Sequence, residues 1–255
     1  MNAENTIAIA GFPVISTNAR MLAVHLHQTI LRHDKEMLFF ANTNFVVKCR
    51  PLLEQMKRDA AIIVNDGVGM DIAAYLSGER FMENLNGTDF TPYFFSGVSR
   101  PLRVFLVGAK PEVLSKAASH VSHKLGQMVV GTCDGYAGLA KCRADLPALI
   151  NRAQAEVVLV AMGNPAQEEW ILANRQVLNA NILIGVGALF DFWAGDKPRA
   201  PNWVRRVRLE WLYRLGLEPR RLLRRYTVDI VRFLILCRKH RGDGRAAEHQ
   251  PPSAM

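Results

Sequence analysis

Val158–Trp170 reads VLVAMGNPAQEEW. A run of small and β-branched residues ends at Gly163, turns at Asn164-Pro165, and resumes as a polar helical pattern carrying Gln167, Glu168 and Glu169. A short apolar run with no alternation, closed by turn residues, fits a strand buried on both faces, as in a parallel sheet. In such sheets ligands collect outside the carboxyl ends of the strands. The turn is therefore a fold signal and a candidate site at once.

Similar units recur on both sides of it. TIAIAG (Thr6–Gly11), MLFFAN (Met37–Asn42), AAIIVN (Ala60–Asn65), LRVFLVG (Leu102–Gly108), MVVGT (Met128–Thr132), EVVLVAMG (Glu156–Gly163) and ILIGVG (Ile182–Gly187) read as strands separated by longer helical patterns. That alternation predicts an α/β domain, a Rossmann-like and mostly parallel sheet flanked by helices, over residues 1–196. Several of the runs end in Gly or Asn, so polar groups gather at one edge of the sheet. With 255 residues, 49% of them hydrophobic, the chain can bury a substantial core.

From Lys197 the pattern changes. Residues 197–241 carry 14 Lys/Arg against Glu210, Glu218 and Asp229, a net +11 that leaves −2 for the rest of a chain of net charge +9. Trp203, Val207, Trp211 and Leu215 recur every four residues among arginines, and Leu223, Ile230 and Cys237 fall at sevenfold spacing with Tyr226, Phe233 and Leu234. Basic amphipathic helices of this kind suit an anionic membrane surface. They form a helical appendage over 197–241, followed by a tail, 242–255, that reads as disordered. Exposed apolar stripes away from lipid predict docking onto the body or a homo-oligomer. No stretch reaches the ~20 apolar residues of a membrane span; Ile230–Cys237 is short and interrupted by Arg232. The N-terminus lacks the order of a signal peptide. Cys49, Cys133, Cys142 and Cys237 have no C-x-x-C spacing, which points to neither zinc nor a disulfide framework and fits a reducing cytoplasm. Nucleic acid is disfavoured as a partner, because the arginines alternate with apolar stripes.

Several turns carry polar groups. Asp66 directly follows a strand in IIVNDGVGMD, where a carboxylate serves either as a general base or as a cap for the next helix. The glycines there, and those of GVGALF, are not a dinucleotide fingerprint, since the third glycine position holds Ile72 in one and Phe190 in the other. Asn86 and Asp89 in NLNGTDF either bind a sugar or nucleotide or close a local turn. Gly108 in FLVGAKPEV and Tyr136 in GTCDGYAG stand at strand-to-helix turns suited to an anionic ligand, and equally routine as turns. The pairs His25/His27 and His120/His123 lack a third metal ligand, and no two aspartates flank a single residue. A leaving diphosphate would then depend on Lys and Arg for stabilisation.

In this order the motifs AMGNPAQEEW, NDGVG, LNGTDF, VFLVGAKPEV, CDGY and the Gly185–Tyr226 stretch resemble the WecG/TagA/CpsF family of bacterial glycosyltransferases over residues 5–226. The resemblance implies an inverting transfer of a hexose-type sugar from a UDP-sugar to a polyprenyl-diphosphate-linked sugar, at the inner face of the cell membrane and without metal or other cofactor. It implies Asp66 as catalytic base and Gln167, beside Gly163, in the substrate pocket. The family's Asn before that Asp falls on Asn42, with Asn44 the competing position, and Phe40 stands where the family has Thr. That departure tilts the expected donor towards UDP-glucose, with UDP-N-acetylmannosamine the alternative. In the basic segment the family pattern carries over to Arg214, Arg221 and Arg224, which either neutralise substrate phosphate or bind lipid headgroups. The rival reading is a membrane-surface scaffold without catalysis, which needs neither Asp66 nor Gln167.

Overall fold

The computed structural model describes residues 5–142, 144–196, 200–201, 204, 210–217 and 219–240. An eight-stranded sheet runs through the body: β1 (Thr6–Ile9), β2 (Phe12–Ile15), β3 (Glu36–Ala41), β4 (Ile62–Asn65), β5 (Arg103–Gly108), β6 (Met128–Cys133), β7 (Val157–Ala161) and β8 (Ile182–Gly185). The order across it is β1-β2-β4-β3-β8-β7-β5-β6, and every pairing is parallel except that of β1 with β2. Seven of the strands coincide with the runs read from sequence, within a few residues at their ends.

β2 is the strand the sequence reading missed. Thr6–Gly11 opens a hairpin whose turn, Ala10-Gly11, has both φ values positive (49° and 84°), as a tight two-residue connection requires. Pro13 hides the second strand, since proline removes a ladder donor and argues against a strand. The structure tolerates it because β2 meets β4 only at Ile15↔Val64, beyond the proline.

Alternate residues of each central strand enter two cores. Met37, Phe39, Ile63, Val107, Val158, Val160 and Leu183 face one; Leu38, Phe40, Ile62, Val64, Leu106, Leu159 and Ile184 face the other. The first core is covered by α2 (Thr43–Lys48), α3 (Leu53–Arg58), α4 (Val68–Leu76), α8 (Leu146–Arg152) and α9 (Ala166–Asn174). The second is covered by α1 (Ala19–Leu31), α5 (Gly87–Ser96), α6 (Pro111–His123) and α10 (Leu189–Trp193). The short α7 (Ala137–Cys142) follows β6. β3 and β8 are neighbours, yet α2 leaves β3 towards one face and α10 leaves β8 towards the other. Such divergence marks a topological switch point, the place at the carboxyl edge where open α/β sheets bind ligands.

In the basic segment the described helices are Glu210–Leu217 and Pro219–Lys239. The second packs on α2 and inserts Phe233, 2% exposed, into the first core, with Leu236 and Cys237 against it. Leu234 does not share that side: it is exposed with Val228, Val231 and Ile235. The helix end is held by Arg50, whose guanidinium donates to the Ala10 carbonyl and meets the His240 ring. Among the described residues no helix is long and apolar enough to cross a membrane. Of the Trp203, Val207, Trp211 and Leu215 stripe, Trp203, Val207 and the Trp211 side chain lie outside the described residues, as does the 242–255 tail.

Candidate active site at the carboxyl edge of the sheet

Ala41 and Asn65 end β3 and β4 side by side, so the residues that follow them, Asn42 and Asp66, become neighbours although 24 positions apart. Asn42 caps α2 by accepting from the Phe45 amide (3.1 Å) and donates its Nδ2 to Asp66 Oδ2 (3.3 Å). Capping holds the amide in place, and the amide in turn orients the carboxylate. The backbone amide of Asp66 is bound to the Ala41 carbonyl at 2.7 Å. Gly67, not Asp66, occupies the N-cap position of α4.

Behind this pair stands a polar brace that the sequence reading did not find. Asn84 Oδ1 accepts from the Gly67 amide (3.0 Å), while Asn84 Nδ2 and Asn65 Nδ2 each donate to the Asp71 carboxylate (3.2 Å). Their only sequence signal was the crowding of Asn and Asp around the strand end. Asn65 is wholly buried, and its Oδ1 has no partner among the described residues.

The Gly163–Glu169 turn answers the arrangement from β7. Gln167 is 3% exposed; its Nε2 donates to Glu168 Oε1 (2.7 Å) and Asn164 Oδ1 (3.3 Å), and its Oε1 accepts from the Gly187 amide (3.0 Å). The side chain thus ties the end of β7 to the turn after β8. Glu168 is also buried, and burial, the largest cause, pushes its carboxyl above the usual range despite the Gln167 bond. Cys49 donates to it (3.5 Å), and burial pushes that thiol far up. Glu169 points outward. Gly67, Gly163 and Gly187 all turn through positive φ, and a Cβ on any of them would meet nothing within 4 Å, so the carboxyl edge over β4, β7 and β8 is open and backbone-lined.

The other predicted positions are spread along this edge. Asn86 caps α5, accepting from the Asp89 amide and donating to its carboxylate (both 2.9 Å). Both also line a cleft of about 620 Å³ between α1 and α5. Gly108 (φ +111°) is demanded by close approach: a Cβ there would lie 2.3 Å from the Ala161 carbonyl oxygen. Asp134 accepts from the Tyr136 and Gly138 amides (3.0 Å each), leaving the Tyr136 ring exposed. A second cavity, about 410 Å³, lies beside that turn between α6 and α8. Cys133 and Cys142 bring their sulfurs within 3.2 Å there, a proximity the cysteine spacing did not suggest. Arg214, Arg221 and Arg224 sit on the two basic helices; their side chains lie outside the described residues.

The histidines are occupied elsewhere. His25 meets Glu36, His27 stacks on Phe94 and bonds its carbonyl, His120 stacks on Trp193, and His123 bonds the Ser119 carbonyl. Among the described residues no group of three or more His, Cys, Asp or Glu is placed to hold a metal ion.

Residues 7–247 match the family model described as "Glycosyl transferase WecG/TagA/CpsF family". The chain belongs to this family. A Bacillus subtilis (strain 168) protein, N-acetylglucosaminyldiphosphoundecaprenol N-acetyl-beta-D-mannosaminyltransferase, is 33% identical over 168 residues, 65% of this chain and 64% of its own length, so the match leaves over a third of that relative uncovered. A Bacillus spizizenii protein of the same name is 29% identical over 85% of this chain and 84% of its own. A nicotinate phosphoribosyltransferase structure from Vibrio cholerae, covering 67% of this chain and 46% of its own, shares 8% identity at a TM-score of 0.20, too slight a likeness to bear on this chain.

The relatives do not support the glucose-type donor expected from Phe40 and the NTNF stretch after it. The Phe40 side chain is 8% exposed; its ring packs on Phe90 at 5.9 Å and would touch a Cβ on Gly87. Phe40 belongs to the core beneath α5, so its identity reports packing rather than the sugar.

Proposed function

We propose that this family member transfers N-acetylmannosamine from its UDP conjugate to the sugar of a polyprenyl-diphosphate-linked N-acetylglucosamine, with inversion, at the cytoplasmic membrane surface. The observation that carries the reading is the Asn42–Asp66 pair (3.3 Å) at the carboxyl edge of the sheet, in a chain whose relatives bear that activity in their names. Asp66 takes the proton from an acceptor hydroxyl as that oxygen attacks the anomeric carbon. The bond to the diphosphate breaks, and UDP leaves with the electron pair from the opposite face. Holding two substrates in line supplies much of the rate.

In this reading the Gln167 brace and the open Gly163 turn form the floor under the donor diphosphate, and Gly108 and Tyr136 flank its nucleotide. Arg214, Arg221 and Arg224 stabilise the departing charge in place of a metal. The outer side of the Pro219–Lys239 helix supports membrane association: Val228, Val231, Leu234 and Ile235 are exposed beside Arg232, Arg238 and Lys239. Each basic residue near anionic lipid contributes ~1 kcal/mol. Without lipid, the same side chains offer a contact to a second copy of the chain.

The test is transfer from a panel of UDP-sugars to a short-chain lipid-diphosphate N-acetylglucosamine, with chelator present. Product from UDP-N-acetylmannosamine is expected, falling about 10²-fold or more in Asp66→Asn, since a positioned base contributes 10²–10⁴. Product from UDP-glucose alone would reverse the donor assignment. Undiminished transfer by Asp66→Asn would remove the base.

A further inference from the structure

We infer that the cleft between α1 and α5 holds the sugar ring of the acceptor, an assignment that rests on the transferase reading above. Its walls are the first turn of α1 with Asn18 and Arg20, the Glu83–Asn86 loop, and Asp89 and Tyr93 of α5. At about 620 Å³ it lies within the range of small-molecule sites.

Position is the first argument. Asn84 is part of the cleft wall, and the same side chain clamps the amide of Gly67, the residue after Asp66. A general base has to lie within hydrogen-bond reach of the hydroxyl it deprotonates. The acceptor therefore belongs on the Asp66 side of the sheet. Gly108 and the Tyr136 turn follow β5 and β6, and β5 stands four strand positions from β4. At ~4.8 Å per strand, that is roughly 19 Å. A nucleotide seated there and a sugar seated between α1 and α5 approach the switch point from opposite ends without competing.

Chemistry is the second. Among the described residues lining it, Glu83 and Asp89 face Arg20, a set suited to the uncharged hydroxyls of a sugar ring whose own diphosphate is directed out of the cleft. Both carboxylates are exposed, and Glu83, which accepts from the Ala19 amide, is an acceptor-only group of the kind that binds sugar hydroxyls. Tyr93, 43% exposed, offers a ring face to the C–H side of a sugar.

The experiment titrates the full chain, and its Tyr93→Ala and Glu83→Gln variants, with two probes by calorimetry: a water-soluble short-chain lipid-diphosphate N-acetylglucosamine, and UDP. Thermal melts confirm folding of each variant, and neither side chain is buried. The expected result is acceptor binding weakened by ~10-fold or more in both variants, with UDP affinity kept within about twofold. Acceptor affinity unchanged in both, equal weakening of UDP, or no acceptor binding by the wild type would overturn the assignment. Wild-type transfer is assayed in parallel. Binding that follows the expected pattern without transfer from any donor would sink the catalytic reading while leaving the cleft as the acceptor-sugar site.

Discussion

Replacing Gln167 by Leu removes the amide that joins the turn after β7 to the turn after β8 while keeping its volume. The substitution leaves the Gly187 amide and the Glu168 carboxylate without the partner they have at 3.0 and 2.7 Å. A hydrogen bond to a charged group is worth about 1.5–3 kcal/mol and a neutral one about 1, so the loss is roughly 2.5–4 kcal/mol. In a chain of this size that lowers Tm by about 5–15 °C. The loss also depends on pH, and its sign can be derived. Burial already raises the Glu168 carboxyl, and the Gln167 bond holds it partly down. Without that bond the folded-state pKa rises further. A group whose folded pKa lies above its unfolded value stabilises fully below the unfolded pKa, and that stabilisation is lost as pH climbs through the folded one. The variant keeps losing stability after the wild type has lost its share, so the gap between them widens as pH rises past the point at which the wild-type Glu168 carboxyl ionises. Urea unfolding at several pH values measures it. A gap below ~1 kcal/mol, or one that does not change with pH, would refute the brace as described.

Gly108→Ala should cost about 2–4 kcal/mol, through positive φ and a Cβ 2.3 Å from the Ala161 carbonyl oxygen, and lower Tm by roughly 5–15 °C; a melt within about 2 °C of wild type would contradict the packing. Burial, the largest cause, pushes the Cys133 thiol up to about 12, so iodoacetamide at about pH 8 should label it at least ~10³-fold more slowly than a free thiol. Diamide should nevertheless join Cys133 to Cys142, 3.2 Å away, seen as a loss of two hydrogens in the mass of the spanning peptide. Arg50→Ala removes the contacts to Ala10 and His240, and trypsin should then cut at Arg238 and Lys239 faster than in the wild type. Unchanged cutting would mean that the apolar contacts of Phe233, Leu236 and Cys237 seat the helix without Arg50.

Much of this architecture was legible because strand and helix patterning is local. Val157–Ala161 and Arg103–Gly108 are apolar on both faces, and helical covers on both sides are the arrangement that buries them. β2 escaped because its register is set by a hairpin turn and by a proline whose cost depends on what lies beside it. In the site, Asp66 and Asn42 were found through family motifs. The Asn65, Asp71 and Asn84 brace was not, because its bonds link residues whose adjacency depends on how α4 and the following loop return to the strand end. Phe40 was misread for the same reason. A ring on a strand next to a polar turn points into the pocket or into the core according to which face the pleat presents, and the partners that decide it, Gly87 and Phe90, lie on α5.

By itself, then, the sequence determined an alternating α/β body, a basic segment of net +11 after it, and the polar residues that end its strands. Periodicity, charge and turn chemistry act over a few residues and need no partner. Only the tertiary structure decided that β4, β3, β8 and β7 stand side by side, bringing Asn42 to Asp66 and Gln167 to Gly187. Strand order is the outcome of crossover connections and of which hydrophobic faces bury against one another, and no local pattern encodes it.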